Sequence, residues 1–258
     1  MNVFHAVILG IVEGLTEFLP VSSTAHLIIV SNFLTFPQDQ YLKFFEVFIQ
    51  SGAILAVLVM FFQYILRHKD LIRKIGISFI PTAFTGFFLY KTIKNIFFES
   101  DLLIIDALFT VGIIFLILEY LIASKKIVLE KTISSMSLSD AFTAGLFQAL
   151  AVVPGVSRSG IVMIFLMAAG YKRSEAALYS FLLAVPTIFA ASGYDLYKMR
   201  HAFDWSTSNI MFILTGFITS FGVAYLVIRW FIGFLKTNSL IPFALYRVAL
   251  AIILLLAS

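Results

Sequence analysis

Charged and hydroxyl side chains interrupt two otherwise apolar regions of this 258-residue chain. The first interruption, residues 10–26, reads GIVEGLTEFLPVSSTAH, and the second, residues 154–160, reads PGVSRSG. An ionisable group at membrane depth costs about 2.5–3.5 kcal/mol even on lenient insertion scales, so it usually lines a polar cavity and has a function there. Proline and glycine in both stretches disfavour a continuous helix. Each region is therefore predicted to be broken at a candidate functional site.

The composition is that of a membrane protein. Hydrophobic residues make up 61% of the chain and charged residues 12%, whereas a soluble domain carries roughly 25% charged residues. The formal net charge is +4, but the basic residues stand in short clusters between apolar runs, which excludes a nucleic-acid-binding stripe. The chain has no cysteine, so neither a disulfide framework nor a thiolate metal site is expected.

Six apolar runs are each close to the roughly 20 residues that a transmembrane helix needs. Two further regions, residues 1–35 and 138–170, are too interrupted for either half to cross alone. Non-helical backbone at membrane depth survives only where protein or water covers it, so these regions are predicted to form re-entrant helix–loop–helix hairpins. The alternative is a pair of ordinary spans kinked at proline. The six runs are residues 44–63, 75–93, 102–123, 176–197, 208–232 and 241–257.

The two halves of the chain resemble each other in sequence. Residues 10–13 match residues 145–148 at an offset of 135, and Pro20 matches Pro154 at an offset of 134. Each half contains one broken region and three apolar runs. The repeated pattern indicates that the chain is built from two copies of one structural unit.

The predicted fold class is therefore an all-α polytopic membrane protein, with residues 1–258 forming a single membrane domain. It consists of two inverted-topology repeats, each a re-entrant helix hairpin plus three transmembrane helices. A hairpin returns to its own side and three crossings change sides, so the second repeat is upside down relative to the first. Inverted repeats bring broken segments together near the midplane. Repeat one covers about 1–124 and repeat two about 138–258.

The distribution of Lys and Arg orients this arrangement. Connectors on one side of the predicted topology hold eleven of these residues and connectors on the other side hold five. By the positive-inside rule, the richer side faces the cytoplasm. Both termini and the mouth of the first hairpin are then predicted to face outward.

Glu13 and Glu17 are spaced i, i+4, so on a helix they share one face. Two carboxylates in a low-dielectric cavity repel each other unless a cation neutralises them. A divalent cation bound through oxygen ligands, Mg²⁺ or Ca²⁺, is the predicted cofactor at these two metal-binding residues. The alternative is a carboxylate pair neutralised by Arg158 alone.

The run Ser22-Ser23-Thr24 after Pro20 is predicted to present hydroxyl donors and a nucleophile. His26 lies three residues beyond Ser23, close enough to serve as its base or to protonate a leaving group. The alternative for the hydroxyl run is helix capping, in which Ser and Thr are common.

The run Ser157-Arg158-Ser159-Gly160 has the chemistry of a phosphate cradle. Arginine offers a planar, permanently charged fork, the flanking serines donate hydrogen bonds, and glycine allows close backbone approach. Alternatively, Arg158 is a structural partner of an acidic residue in the first motif.

Other polar residues occur within the apolar runs. Glu46 and Gln50 share a helix face and could support the site from a second layer. Asp106, Glu119 and Arg247 are predicted to form structural pairs.

These motifs resemble a known family. Residues 13–24 and 154–160 are similar to the two signature motifs of the undecaprenyl pyrophosphate phosphatases, also called bacitracin-resistance proteins. Residues 45–50 and 181–186 fit that family too, and the resemblance covers essentially the whole chain. Ala25 departs from the glycine usually found before the histidine. Alanine is the smallest replacement, so the difference bears on the local backbone rather than on the chemistry.

The resemblance implies an enzyme that removes the terminal phosphate from undecaprenyl pyrophosphate, at an active site open to the outer side of the bacterial cytoplasmic membrane. That reaction would regenerate the lipid carrier for peptidoglycan synthesis and give bacitracin resistance. The implied partners are a polyprenyl pyrophosphate and membrane lipids, with no nucleic acid, and a homodimer is one expected assembly.

The resemblance also assigns roles by position. Ser23 matches the nucleophilic or phosphate-contacting serine, His26 the acid/base histidine and Arg158 the phosphate-binding arginine. Glu13 and Glu17 match the acidic pair tied to metal or water activation. Covalent attack by Ser23 and direct attack by a water activated at Glu17 both remain open. The expected substrate-binding residues are Ser22, Thr24, Ser157, Ser159 and Gly160.

The rival function is a secondary transporter or a flippase for a phosphorylated lipid. Inverted repeats, broken helices and a midplane anion site are also typical of transporters. The discriminating feature is the pairing of a nucleophile with a base, Ser23 with His26, which a carrier does not require.

Overall fold

A computed structural model of the chain describes residues 1–36, 40–95, 100–200 and 206–257, with side chains described outside 90–95. Within these ranges the fold is all-helical, and the one β-bridge joins Lys131 to Tyr171. Short 3₁₀ turns occur at Ile133–Ser135 and Leu150–Val152. The α-helices are α1 Val3–Thr16, α2 Ser23–Phe33, α3 Gln40–Arg67, α4 Lys69–Asn95, α5 Asp101–Ala123, α6 Leu138–Ala149, α7 Arg158–Ala168, α8 Arg173–Met199, α9 Thr207–Leu235 and α10 Ile241–Ala257.

Five of the described helices, α3, α4, α5, α8 and α9, are long and apolar enough to cross a bilayer. The prediction of a polytopic membrane protein is thus confirmed. The sixth predicted span coincides with α10, whose 17 residues are fewer than in the other five. At 1.5 Å per residue α10 is about 25 Å long, somewhat short of a hydrocarbon core about 30 Å thick.

Both interrupted regions fold as pairs of short helices, α1 with α2 and α6 with α7. None of the four exceeds 14 residues, so none has the length of a span. Each second helix starts after a serine in the left-handed region: Ser22 has φ 74° and Ser157 has φ 71°. Non-glycine residues seldom adopt this conformation. The breaks therefore share one backbone geometry; their re-entrant course through a bilayer stays a prediction.

Helices of one half pack mainly on helices of the other. The first helix of each half lies against the fourth helix of the opposite half, α1 on α9 and α6 on α4. Glycines permit the close approach: a Cβ at Gly10 would lie 2.7 Å from the Gly216 carbonyl oxygen, and one at Gly145 would lie 2.1 Å from that of Ser78. The last helices, α5 and α10, pack on each other, and so do α3 and α8.

The predicted structural pairs have three different outcomes. Glu119 does form one: it binds Arg173 through both carboxylate oxygens and also accepts the backbone N–H of Leu240, at 2.9 Å. Arg247 is fully buried, but its partners are backbone carbonyls rather than a carboxylate. Asp106 is exposed, and its pairing stays a prediction.

Large apolar side chains cover much of the outer surface. Phe84, Phe87 and Phe88 on α4 are each more than 60% exposed. A soluble protein rarely exposes contiguous apolar patches of this kind, so this surface fits contact with lipid acyl chains.

Candidate active site

The central breaks of the two interrupted regions meet at one cavity of about 450 Å³. Glu17 and the hydroxyl run Ser22-Ser23-Thr24 line it from the first half, and Ser157 and Arg158 line it from the second. The structure thus brings together most of the predicted site residues, although the two motifs are more than 130 positions apart in sequence.

An ion pair joins the two motifs at this cavity. The Nη2 of Arg158 donates to Oε1 of Glu17 at 2.8 Å, and the side chains are only 12% and 6% exposed. The guanidinium also donates from Nη1 to the carbonyl of Ser180 at 3.5 Å. An arginine has five N–H donors, so the side chain retains donors for an anion in the cavity.

Ser23 is tied to the same carboxylate. Its hydroxyl donates to Oε2 of Glu17, so Glu17 accepts from Ser23 and from Arg158 with different oxygens. A carboxylate placed this way can take the hydroxyl proton as the serine oxygen attacks an electrophile. Arg158 meanwhile places a positive charge beside that carboxylate.

Two helix N-termini lie at this cavity, because α2 begins at Ser23 and α7 begins at Arg158, and both residues line it. Such N-termini bind anions through unsatisfied N–H groups and the helix dipole. Ser157 caps α7 by accepting from the N–H of Gly160 at 3.2 Å, whereas Ser22 makes no capping bond and lines the cavity.

Two predicted substrate-binding residues have structural contacts instead. The Ser159 hydroxyl donates to the carbonyl of Leu19 at 3.2 Å and thereby links the two breaks. Gly160 packs where a Cβ would lie 3.3 Å from the ring of Phe115. Neither residue lines the cavity, whereas Ser22, Thr24 and Ser157 do.

Glu13 is fully buried one helical turn before Glu17 and does not line the cavity. Both of its carboxylate oxygens lack a hydrogen-bond partner, and electrostatic interactions connect it with Glu17 and Arg158. A buried carboxylate without a partner is costly, so this group needs a proton or a cation.

No set of three or more His, Asp or Glu residues that could hold a metal occurs among the described residues. Mg²⁺ nevertheless often uses only one or two carboxylates together with substrate phosphates, which the Glu13–Glu17 pair fits.

His26 does not reach Ser23. Its Nδ1 donates to the Ser22 carbonyl at 2.7 Å, and its Nε2 lies 2.7 Å from the hydroxyl of Tyr246, on which the ring also stacks. With Nδ1 protonated, Nε2 accepts from the tyrosine. His26 is absent from the cavity lining, and Ser23 donates to Glu17 instead.

The sequence analysis did not predict that the polar side chain of Gln148 lies in the cavity. The side-chain amide of Gln148 donates to the hydroxyls of Thr82 and Thr187, at 2.8 and 3.0 Å. The repeat contained a signal for it, since Gln148 matches Glu13 at the offset of 135. Of the two residues predicted to support the site, Gln50 lines the cavity, whereas Glu46 accepts from Ser31 at 2.8 Å and does not.

Much of the remaining lining of the cavity is apolar. Phe79, Ala83, Gly86 and Phe87 of α4 contribute to it together with residues 151–153, while Tyr194 and Asp195 add polar groups. A Cβ at Gly86 would have no neighbour within 4 Å, so open space adjoins this position. The cavity is therefore lined both by charged and hydroxyl groups and by apolar side chains of α4, the helix whose outer surface is apolar.

Known proteins similar to this chain belong to one group. The family model described as "Bacitracin resistance protein BacA" matches residues 6–253. A protein of Wolinella succinogenes named undecaprenyl-diphosphatase is 45% identical over 255 residues, covering 99% of this chain and 98% of the relative. Proteins of the same name from Aquifex aeolicus and Campylobacter hominis are 43% and 46% identical, and each match covers 97% or more of both chains.

Proposed function

The chain belongs to the bacitracin resistance protein BacA family, and we propose that its Glu17–Ser23–Arg158 cavity is where it hydrolyses undecaprenyl diphosphate. The products are undecaprenyl phosphate and inorganic phosphate. This reaction recycles the lipid carrier for cell-wall synthesis and, by removing the target of bacitracin, confers resistance. The alternative of a carrier gains no support from relatives named as diphosphatases.

One observation carries the assignment of the site. A fixed cation, two helix N-termini and a serine bonded to a carboxylate line a cavity whose remaining lining is largely apolar. A lipid diphosphate has the same division, with an anionic head and a hydrocarbon tail. Donors aimed at phosphate oxygens also stabilise the charge that develops during phosphoryl transfer.

In the proposed reaction, Ser23 attacks the terminal phosphorus. The Ser23 Oγ–P bond forms, the bond from phosphorus to the bridging oxygen breaks, and undecaprenyl phosphate leaves. Glu17 takes the serine proton and passes it to the departing phosphate. A water then attacks the phosphoserine, inorganic phosphate leaves, and a proton returns to Ser23. The hydrogen bond from Ser23 to Glu17 supports this route, and direct attack by a water activated at Glu17 is the competing route.

Glu17, rather than His26, is the proton acceptor in this proposal. For His26 to serve Ser23, its ring would have to leave both the Ser22 carbonyl and the Tyr246 hydroxyl. We therefore assign His26 to the packing of α2 against α10 and keep an acid/base role as the alternative.

Glu13 and Glu17 are the residues that would hold Mg²⁺ or Ca²⁺. The support is the buried, unpartnered carboxylate of Glu13 beside the ion-paired carboxylate of Glu17. A divalent cation bound there would neutralise charge on the diphosphate and polarise the phosphorus. Without a metal, Glu13 must stay protonated to avoid an uncompensated buried charge.

The two halves are proposed to be inverted repeats in the cytoplasmic membrane, with the active site open to the outer side. The matching serine conformations at both breaks and the reciprocal packing of α1 on α9 and α6 on α4 support this symmetry. The orientation rests on the excess of Lys and Arg on one side. A homodimer stays a prediction.

The direct test is phosphate release from farnesyl or undecaprenyl diphosphate by the purified chain in detergent. Activity in the parent chain and its loss in folded Ser23→Ala would support the site. Acid quenching followed by mass spectrometry separates the two routes: phosphate on Ser23 supports covalent attack, and its absence during rapid turnover supports direct attack by water. A parent chain without phosphatase activity would refute the function.

A further inference from the structure

Arg247 is a fully buried cation in α10 that contacts both helix breaks. Its Nη1 donates to the carbonyl of Pro20 at 3.0 Å, and its Nη2 donates to that of Gly155 at 2.6 Å. Further contacts at 3.3 Å reach the carbonyls of Ala107, Leu108 and Val156. One side chain therefore holds backbone from the first motif, the second motif and α5.

No carboxylate pairs with this guanidinium within the part of the chain that the structure describes. Burying a charge without an opposite charge is expensive, and here only carbonyl dipoles compensate it. The charge is therefore better explained by what it holds than by core stability.

The two carbonyls stand just before the reacting groups. Pro20 precedes Ser23 by three residues, and Gly155 precedes Arg158 by three. Moving either carbonyl shifts the start of α2 or of α7, and with it the nucleophile or the phosphate-binding cation. The hydrogen bond from Ser159 to the Leu19 carbonyl links the same two breaks from another side.

On the basis of the proposed function, we propose that Arg247 is a positioning residue that sets the N-termini of α2 and α7 so that Ser23 and Arg158 act on one diphosphate. It does not line the cavity and does not touch the substrate. Arginine suits this task because its planar fork presents five donors in fixed directions, whereas the lysine ammonium is a compact point charge. A misplacement of about 1 Å can cost about 100-fold in rate.

The test compares Arg247→Lys with Arg173→Lys. Arg173 is a matched control, because it too is a largely buried arginine holding two helices but lies outside the cavity. We expect Arg247→Lys to lower kcat for farnesyl diphosphate by about 100-fold with KM changed less than threefold. Arg173→Lys should lower thermal stability and leave kcat within threefold.

A distance measurement reads positioning directly. The chain has no cysteine, so spin labels can be placed at Phe33→Cys and Ala168→Cys, exposed positions at the far ends of α2 and α7. Pulsed electron resonance should show a broader or shifted distance distribution in Arg247→Lys and an unchanged one in Arg173→Lys. An unchanged distribution together with normal kcat in folded Arg247→Lys would overturn the proposal.

Gly155→Ala tests the same contact without altering the arginine, in case Arg247→Lys fails to fold. Gly155 has φ +94°, and a Cβ there would lie 2.6 Å from the Ile104 carbonyl, so alanine displaces the carbonyl that Arg247 holds. We expect the same change in distance distribution and a similar loss of kcat.

The double variant that combines Gly155→Ala with Arg247→Lys should lose no more kcat than the worse single variant, because both changes break one contact. Additive losses of kcat would contradict the proposal. Normal kcat in Arg247→Lys beside an inactive Arg158→Lys would refute positioning alone and leave the proposed function standing.

Discussion

Glu17 and Arg158 form a buried ion pair of 2.8 Å across 141 positions of sequence. The pair joins the end of α1 to the start of α7 and so joins the two halves of the molecule. Because Glu17 also accepts from Ser23, the proposed phosphate-binding cation and the proposed nucleophile share one carboxylate. These three side chains are thereby positioned relative to one another before substrate binds.

Arg158→Lys is expected to lose activity although the charge is kept. A lysine ammonium cannot hold Glu17 and two phosphate oxygens with a planar fork. Loss of one preorganised donor from such a site typically lowers kcat about 100- to 1,000-fold. Phosphate release by the purified variant measures this loss, and Arg229→Lys, at an exposed position on α9, is the control. Near-normal activity of folded Arg158→Lys would reduce the arginine to a structural counter-ion.

Gly86→Phe is expected to impair long substrates selectively. The side chain would enter the open space beside the apolar side chains of α4 that line the cavity, where the isoprenoid tail is proposed to lie. We expect kcat/KM for undecaprenyl diphosphate to fall at least tenfold and that for isopentenyl diphosphate to change little. Gly76→Phe is a matched control, because Gly76 lies on the same helix, also has no neighbour within 4 Å and does not line the cavity. Equal losses for both substrates in Gly86→Phe would place the tail elsewhere.

Opposite faces of the membrane are predicted for the connectors at residues 64–74 and 198–207. Single cysteines at His68 and Met199 can be labelled from each side of oriented vesicles, since the chain contains no other cysteine. The cysteine at His68 should react from the cytoplasmic side and that at Met199 from the outer side. Labelling of both from the same side would rule out inverted repeats.

Local chemistry made the helix breaks predictable. Pro20 and Pro154 disfavour helix, and Gly155 tolerates the left-handed backbone that the second break contains. The left-handed conformation of Ser22 and Ser157 has no such local signal, because non-glycine residues seldom adopt it. The approach of Arg158 to the acidic motif followed from the internal repeat, because matching segments of two halves meet at their shared interface.

Long-range partners were not predictable from the sequence. The contact of His26 with Tyr246 spans 220 positions, and no local pattern indicates it. Arg247 was predicted to form a structural pair, but the breaks expose carbonyls that helices would otherwise satisfy, and these are its partners. The neutral amide of Gln148 carried no charge signal and was visible only through its match to Glu13.

Chelation is expected to abolish turnover, and added Mg²⁺ or Ca²⁺ to restore it. Glu13 is buried without a hydrogen-bond partner next to Glu17, and a divalent cation would compensate its charge.

Glu13→Gln keeps the shape of the side chain but removes its charge. It should therefore raise the metal concentration needed for half-maximal rate, while Ser23 and Arg158 remain in place. Glu17→Gln should lower the maximal rate as well, because Glu17 also takes the proton of Ser23. Glu175→Gln is the control, since that carboxylate accepts the backbone N–H of Ile133 and does not line the cavity. Metal titration of phosphate release measures all three variants. Arg158 already neutralises part of the acidic pair, so a metal-free enzyme is the alternative. Full activity in excess EDTA, from protein shown to be metal-free by elemental analysis, would leave Glu17 as a simple base and Glu13 as a buried neutral acid.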